Sequence, residues 1–283
     1  MLNKKHYLIT STNEIDLYIE FVPSTFQMWK KNLDCIYILC FVTDRNHDDP
    51  LVKRLSQFCD EIYLFKPIKD IHTGIQAKAI RMWMASQFGE NVSTLTDIDQ
   101  YLFDFNWLKN IIKPAFEQDK FVEIGHNAYW DTKEDGKFPM YYTTSPSYIF
   151  NKIINPKNIN NFEDWFLQFQ NIKDPIDGKE HIGSNFYKFS DESLLRYLIE
   201  KNPDKEFINN VILKVVRPDF KLMKASRRLD RSYWPQTKLT FQILEKTKYL
   251  DCNPLRPFNK NVQHILPVLE WMNLNISKEN IML

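Results

Sequence analysis

Glycine is scarce in this chain, and its scarcity excludes several nucleotide-binding motifs. The 283 residues include six glycines, whereas average usage near 7% would give roughly 20. The sequence contains neither GxGxxG nor GxxxxGKS/T, the loops that bring backbone amides against phosphate. The dinucleotide-binding fingerprint, the P-loop and the glycine-rich kinase loop are therefore excluded. A bound nucleotide would have to be held by side chains, with or without a metal ion.

Long apolar segments and an excess of one charge are also absent. The longest apolar run is eight residues, from Cys35 to Val42, whereas a membrane-spanning helix needs about 20. The apolar patch in residues 1–10 is too short for a signal peptide. The 37 Lys and Arg balance 36 Asp and Glu to a net charge of +1, which argues against a nucleic-acid partner. We expect a cytoplasmic protein with no transmembrane segment, whose exposed aromatic side chains leave room for peripheral membrane contact.

The four cysteines form no recognisable metal or redox motif. Cys35, Cys40, Cys59 and Cys252 include no CxxC pair and no histidine at zinc-finger spacing. We expect them to be reduced and buried.

The hydrophobic pattern predicts alternating strands and helices in the first hundred residues. Short β-branched and aromatic runs indicate strands, and apolar residues three or four apart indicate helices. This order predicts an α/β fold with a mainly parallel sheet, in which ligands bind beyond the carboxyl ends of the strands. The predicted strands are residues 6–10, 34–43, 61–65 and 92–95, and the predicted helices are residues 15–32, 51–58 and 74–88.

The length favours one large domain with an appendage. We assign residues 1–220 to the α/β domain and residues 221–283 to a basic loop and a helical C-terminal extension. Helices are predicted at residues 238–249 and 261–274.

Two carboxylates directly follow the fourth predicted strand. Asp97 and Asp99 are separated by one residue, so in an extended segment both point to the same side while Ile98 points to the other. Such a pair suits a hard divalent cation and leaves coordination positions open for a substrate. With 21 aspartates, DxD is expected by chance about 1.5 times. The motif therefore indicates a metal site only because it lies at the end of a strand. The alternative is a pair that caps a helix or fixes a turn.

Further charged residues are candidates for a site. Lys78 and Arg81 lie on the helix that precedes the fourth strand, where a solvated helix face is the alternative. Asp191 and Glu192 open an apolar helical stripe, and acids at that position also stabilise a helix start. Five basic residues lie between positions 221 and 231. They suit a loop that closes over phosphate, or a solvated surface.

The element order, together with the segment from Gly74 to Asp99, resembles the GT-A glycosyltransferases over roughly residues 5 to 200, including capsular and viral members of that superfamily. The resemblance implies that Asp99 is the principal ligand of Mn²⁺ or Mg²⁺ and that Asp97 contacts the metal or the ribose. It also implies that Thr10 lines the nucleotide pocket and that Lys78 or Arg81 lies near the donor.

The resemblance extends to the acceptor side and to the C-terminal quarter. It implies that Asp191, in preference to Glu192, deprotonates an acceptor hydroxyl in an inverting enzyme. Arg228 and Arg231 of the basic loop are expected at the donor diphosphate. Asp251 is the candidate third metal ligand. The family often uses a histidine from a C-terminal loop for this ligand, and the corresponding loop here has none.

These residues predict a metal-dependent glycosyltransferase that moves a sugar from a nucleotide-sugar donor, UDP- or GDP-linked, to a glycan, lipid-linked or protein-bound acceptor. One alternative is a nucleotidyltransferase on a related α/β sheet, although residues 10–14 lack the glycine-rich basic loop such enzymes usually carry. A second alternative is a noncatalytic carbohydrate-binding module.

Overall fold

The chain is seen in a computed structural model that describes residues 4–126, 138–169, 191–216 and 249–274, and positions 228, 229, 231, 234, 242, 244, 245 and 276. Ten strands lie in these residues: β1 (His6–Asn13), β2 (Ile36–Val42), β3 (Glu61–Phe65), β4 (Val92–Leu95), β5 (Tyr101–Leu102), β6 (Phe121–Ile124), β7 (Thr144–Pro146), β8 (Ile212–Val215), β9 (Arg228–Leu229) and β10 (Asp251–Cys252).

The main sheet has seven strands in the order β3-β2-β1-β4-β7-β6-β8. β1 pairs in parallel with β2 and β4, and β2 pairs in parallel with β3. β7 runs antiparallel to β4 and to β6, and β6 is parallel to β8. A smaller sheet joins β5, β10 and β9. The predicted α/β fold with a mainly parallel sheet is confirmed.

Helices cover both faces of the main sheet. Successive residues of β1 point to opposite faces, so Leu8 belongs to one hydrophobic cluster with Trp29, and Ile9 belongs to another with Ile80. The described helices are α1 (Asp16–Ile19), α2 (Val22–Asn32), α3 (Pro50–Leu55), α4 (Thr73–Ala85), α5 (Phe105–Glu117), α6 (Ser147–Ile154), α7 (Phe162–Leu167), α8 (Asp191–Lys201), α9 (Lys205–Val211) and α10 (Val262–Trp271).

Most predicted elements of the first hundred residues lie close to their expected bounds. β3 and β4 have the predicted bounds, whereas β1 extends three residues further, to Asn13. The single helix predicted at residues 15–32 is instead two helices, α1 and α2. Pro23 lies in the first turn of α2, where its missing N–H costs no helical hydrogen bond, so a new helix starts there.

The C-terminal residues pack on the same core as the N-terminal strands. α10 falls within the helix predicted at residues 261–274. Phe258, Ile265 and Leu269 are buried in the cluster that contains Leu8 and Trp29. The predicted domain boundary at residue 220, most of the basic loop and most of the helix predicted at residues 238–249 lie outside the described residues. The boundary stays a prediction.

The cysteines are all free thiols. Cys40, Cys59 and Cys252 are buried, as expected, while Cys35 is only half-buried. None of the helices in the described part of the chain combines the length and the apolar character needed to cross a bilayer.

His6 gives the fold a specific dependence on pH. Its Nε2 lies 2.8 Å from Thr94 Oγ1, and its ring packs edge-on against Phe116. Burial lowers the pKa of His6 to about 4. As pH falls from about 6.5 to about 4, His6 therefore becomes protonated in the unfolded chain and stays neutral in the folded chain, which lowers the unfolding free energy.

We expect His6→Gln to flatten this dependence, because glutamine keeps a polar partner for Thr94 and does not titrate. Between pH 7 and pH 5 the wild-type protein should lose up to about 2 kcal/mol more unfolding free energy than the variant. Urea unfolding at both pH values measures the difference. Equal losses in the two proteins would contradict the prediction.

Candidate active site

The Asp97–Asp99 segment lies at the carboxyl end of β4, beside the end of β1. The Thr96 backbone N–H donates to the Ile9 carbonyl at 3.1 Å, which continues the β1–β4 ladder one residue beyond β4. Ile98 is 4% exposed, and its carbonyl accepts a hydrogen bond from Thr25 Oγ1 at 2.5 Å. Ile98 therefore anchors the segment, as the sequence pattern predicts.

Both carboxylates border one cleft. Its cavity volume is about 70 Å³. The predicted residues Lys78 and Arg81 border it as well. Thr10 is 1% exposed and does not line the cleft, whereas the next three residues of the same strand do. The cleft is lined by Ser11, Thr12, Asn13, Tyr18, Gly74, Ala77, Lys78, Arg81, Asp97, Ile98 and Asp99.

Arg81 joins three parts of the site. Its Nη1 donates to the Thr96 carbonyl at 2.9 Å and to Asp97 Oδ1 at 2.5 Å. Its Nη2 donates to Asp191 Oδ2, at the start of α8. The Arg81 side chain is 6% exposed and that of Asp191 is 5% exposed. A buried cation thus holds the β4 end, the first aspartate of the pair and α8 together.

Asp99 is held by two arginines from the C-terminal quarter. Its Oδ2 accepts from Arg231 Nη2 at 3.0 Å and lies 3.3 Å from Arg256 Nε. Arg231 is a predicted donor-binding residue. Sequence reasoning missed Arg256, which lies in a loop without a motif, and only the fold brings it here. The Arg256 guanidinium lies 4.8 Å from the centre of the Tyr18 ring, at the cleft wall.

Arg228 and Asp251 form a separate pair beside this site. Arg228 Nε and Nη2 each donate to the Asp251 carboxylate at 2.9 Å, and Gln100 Nε2 donates to the same group at 3.2 Å. Parallel pairing of β9 with β10 sets the two residues opposite each other. The Arg228 guanidinium also stacks on Tyr141, 4.4 Å from the ring centre. Asp251 is fully buried, so its carboxylate serves contacts within the protein.

The two carboxylates of the cleft differ in their electrostatics. Burial, and then the negative charge of Asp97, raise the pKa of the Asp99 carboxyl to about 7. Burial also acts to raise the pKa of Asp97, but attraction and hydrogen bonding by Arg81 outweigh it, so that pKa is lowered. At neutral pH the pair carries less than its full negative charge, and a further cation at Asp99 would restore that charge.

Asp97 and Asp99 fit a divalent cation as a pair of oxygen donors. Arg81 binds the Oδ1 atom of Asp97, and the two arginines bind the Oδ2 atom of Asp99. These arginine contacts therefore use one oxygen of each carboxylate. Two carboxylates leave most coordination positions for water and substrate, as Mg²⁺ commonly requires. Within the described residues, no three His, Cys, Asp or Glu side chains form a metal-binding group. Asp251 pairs with Arg228 and Gln100, and its role as a third metal ligand stays a prediction.

The two predicted catalytic residues lie at the start of α8. Neither Asp191 nor Glu192 lines the cleft. Asp191 reaches it through Arg81, whereas the Glu192 backbone carbonyl accepts a 3.3 Å hydrogen bond from the Phe138 N–H. Their catalytic roles stay predictions.

Comparison with known proteins finds similarity in structure only. No family model matches the chain, and no curated protein matches it. The galactosyltransferase LgtC, solved with donor and acceptor sugar analogs, is similar over 96% of this chain and 98% of its own, with 8% identity and a TM-score of 0.49. The glycosyltransferase GlyE of Streptococcus pneumoniae TIGR4 is similar over 96% of this chain and 62% of its own, with 10% identity and a TM-score of 0.48. The mannosyltransferase PcManGT of Pyrobaculum calidifontis, solved with GDP-Man and Mn²⁺, covers 76% of this chain and 55% of its own, with 11% identity and a TM-score of 0.41. No residue role and no substrate is taken from similarities at this level.

Arg81→Met should strongly destabilise the fold, because it leaves two carboxylates facing each other without their shared cation. We expect the unfolding free energy to fall by about 3–5 kcal/mol. The matched control is Arg196→Met, which breaks the surface pair with Glu200, where the side chains are 33% and 46% exposed; that loss should stay below about 1 kcal/mol. Urea unfolding compares them, and similar losses in both variants would refute the bridging role of Arg81.

Proposed function

We propose that this chain is a glycosyltransferase that uses a nucleotide-sugar donor. The observation that carries the proposal is the joint presence of Asp97, Asp99, Lys78 and Arg81 in one cleft at the carboxyl end of β4. A nucleoside diphosphate needs positive charge along its phosphates and polar groups around its ribose. The cleft offers both, with positive charge from Lys78 and polar groups from Ser11, Thr12 and Asn13, in a chain without a glycine-rich phosphate loop.

The donor diphosphate is proposed to lie beside Asp99 and the two C-terminal arginines that hold it. Arg231 Nη1 is buried and makes no hydrogen bond within the described part of the chain. This N–H is suited to donate to a phosphate oxygen. Arg256 is held at the same place by Asp99 and by the Tyr18 ring. We therefore add Arg256 to the donor-binding residues, beside Arg231.

A divalent cation is part of the proposal. Mn²⁺ or Mg²⁺ held by Asp97 and Asp99 would neutralise charge that develops on the departing nucleoside diphosphate. The protein's own contribution is to orient the pair. Arg81 fixes Asp97, Ile98 anchors the segment between them, and the arginines fix Asp99. Such preorganised charges stabilise a leaving group without reorganisation during the reaction.

The acceptor side of the proposal concerns Asp191 and Glu192, at the start of α8. Asp191 is buried and bound to Arg81, so its contact with Arg81 supports a positioning role for this carboxylate. Deprotonation of an acceptor hydroxyl by Asp191 or Glu192 stays a prediction. A UDP- or GDP-sugar is the expected donor, and a glycan or glycolipid the expected acceptor.

A thermal-shift panel tests donor binding. UDP-, GDP-, CMP- and dTDP-sugars should be tried with and without Mn²⁺. A ligand at 100 times its dissociation constant adds about 2.7 kcal/mol, which should raise the melting temperature by about 5 °C. One nucleotide class should give this rise only with the metal.

Two conservative variants and a control make the panel specific. Asp97→Asn and Asp99→Asn should abolish the rise, because they remove the carboxylate charge at nearly constant size. Its position beyond a strand suggests that Asp99 lies on the surface, but it is 7% exposed and paired with Arg231. We therefore choose Asp99→Asn, which changes the size of the side chain less than alanine would. The control Asp164→Asn alters an exposed residue in the first turn of α7 and should keep the full rise. A folded protein that responds to no nucleotide would refute the proposal.

Product analysis separates transfer of a sugar from transfer of a nucleotide. With donor and Mn²⁺, the proposed activity releases a nucleoside diphosphate, by transfer to an acceptor or slowly to water. We expect that product, at a rate at least about a hundredfold lower in Asp97→Asn, since an electrostatic stabiliser is removed. Incubation with a nucleoside triphosphate and a sugar phosphate is the opposing assay. Release of inorganic pyrophosphate there would assign the chain to the nucleotidyltransferases instead.

A further inference from the structure

A second large hollow lies outside the donor cleft, where the C-terminal end of α10 meets the start of α5. Its cavity volume is about 500 Å³. Four aromatic side chains line it, all of them partly exposed: Phe103, Phe105, Tyr249 and Trp271. We call this hollow the aromatic groove.

The walls of the aromatic groove are fixed by tertiary contacts. The Trp271 and Phe103 rings meet edge to face, with centroids 5.1 Å apart. Lys31 Nζ at the end of α2 donates to the Asn273 carbonyl at 2.9 Å, which ties α2 to the residues that follow α10. Asp104 caps α5 by accepting from the Trp107 N–H at 2.8 Å. A groove held in this way can bind a ligand without first ordering its own walls.

Polar groups are set among the aromatic rings. Amides are contributed by Asn32 and Asn106, and charged groups by Asp104, Lys109 and Glu245. These side chains supply both donors and acceptors. Among the described lining residues two carboxylates stand against one ammonium, a balance that disfavours phosphates and other anions. The mixture of polar groups equally disfavours a purely apolar occupant, such as an acyl chain.

We propose that the aromatic groove binds an uncharged oligosaccharide. A sugar ring has apolar C–H faces, which pack on aromatic rings, and a rim of hydroxyls, which pair with amides and carboxylates. The groove presents both kinds of surface together, and Lys109 is the one cationic side chain among its described lining residues.

The place of the groove in the chain suggests what it does. Phe103 follows Asp99 by four residues, through the strand β5, so their Cα atoms are at most about 14 Å apart. An oligosaccharide held there keeps its other sugars near the donor cleft and raises their effective concentration. The role of the groove in holding the acceptor near the donor cleft rests on the proposed function, whereas the binding of an oligosaccharide to the groove does not.

The test measures glycan binding without nucleotide or metal, so that its failure and that of the proposed donor site are distinguishable. The full chain is applied to an array of neutral and anionic oligosaccharides, and the strongest ligand is measured by calorimetry. Neutral oligosaccharides should bind. Trp271→Ala should weaken binding about tenfold by loss of one aromatic contact, and Trp271→Phe should weaken it less.

A matched lysine pair keeps the test valid if Trp271→Ala fails to fold. Lys109 and Lys113 are both exposed on α5, one turn apart, and only Lys109 lines the groove. Lys109→Ala should weaken binding several-fold, and Lys113→Ala should leave it unchanged. Asp97→Asn should also leave it unchanged. Binding to no array member, binding of anionic glycans alone, or binding lost in Asp97→Asn but kept in both groove variants would each overturn the proposal.

Discussion

Much of the candidate active site depends on the buried contacts of the Arg81 guanidinium. A charge at this depth is costly unless it is paired, and Arg81 pairs through its two Nη atoms with Thr96, Asp97 and Asp191, while its buried Nε makes no hydrogen bond in the described part of the chain. These partners come from the end of β4, from the segment beyond it and from α8. The same contacts that make the burial of Arg81 possible therefore set where Asp97 points and how α8 sits against α4.

A second set of ion pairs also holds aspartates in place through arginines. Arg231 and Arg256 meet Asp99, while Arg228 meets Asp251. Asp99 and Asp251 thus each pair with arginines from the last quarter of the chain, at two neighbouring places. Such a network is close to neutral as a whole, yet it exposes individual charged atoms to a ligand. An incoming diphosphate and cation would exchange partners with the network, and neither would meet an uncompensated charge.

The sequence predicted those parts of the molecule that depend on local pattern. Short β-branched and aromatic runs predicted the bounds of β3 and β4, and the position of Asp97 and Asp99 directly after β4 predicted that both lie at the end of that strand. Predictions that depended on distant contacts fared differently. Thr10 was expected in the cleft but lies inside the longer β1, because pairing with β2 continues to Asn13. Arg256 had no local signal, since only the packing of its loop on Tyr18 and Asp99 gives it a place.

The pairing of β10 with β5 also bears on how the protein is made. Beside this pairing, side-chain hydrogen bonds join Gln100 to Asp251 across 151 residues and Arg231 to Asp99 across 132. Contacts between such distant positions form slowly, because the chain loses the entropy of closing a long loop before these contacts stabilise it. During synthesis, which proceeds from the N-terminus, the first strands leave the ribosome well before Phe258 and Ile265, which help to bury them. The nascent chain must therefore keep an apolar sheet face partly uncovered until its last quarter arrives, and the cleft gains its arginines only at that late stage.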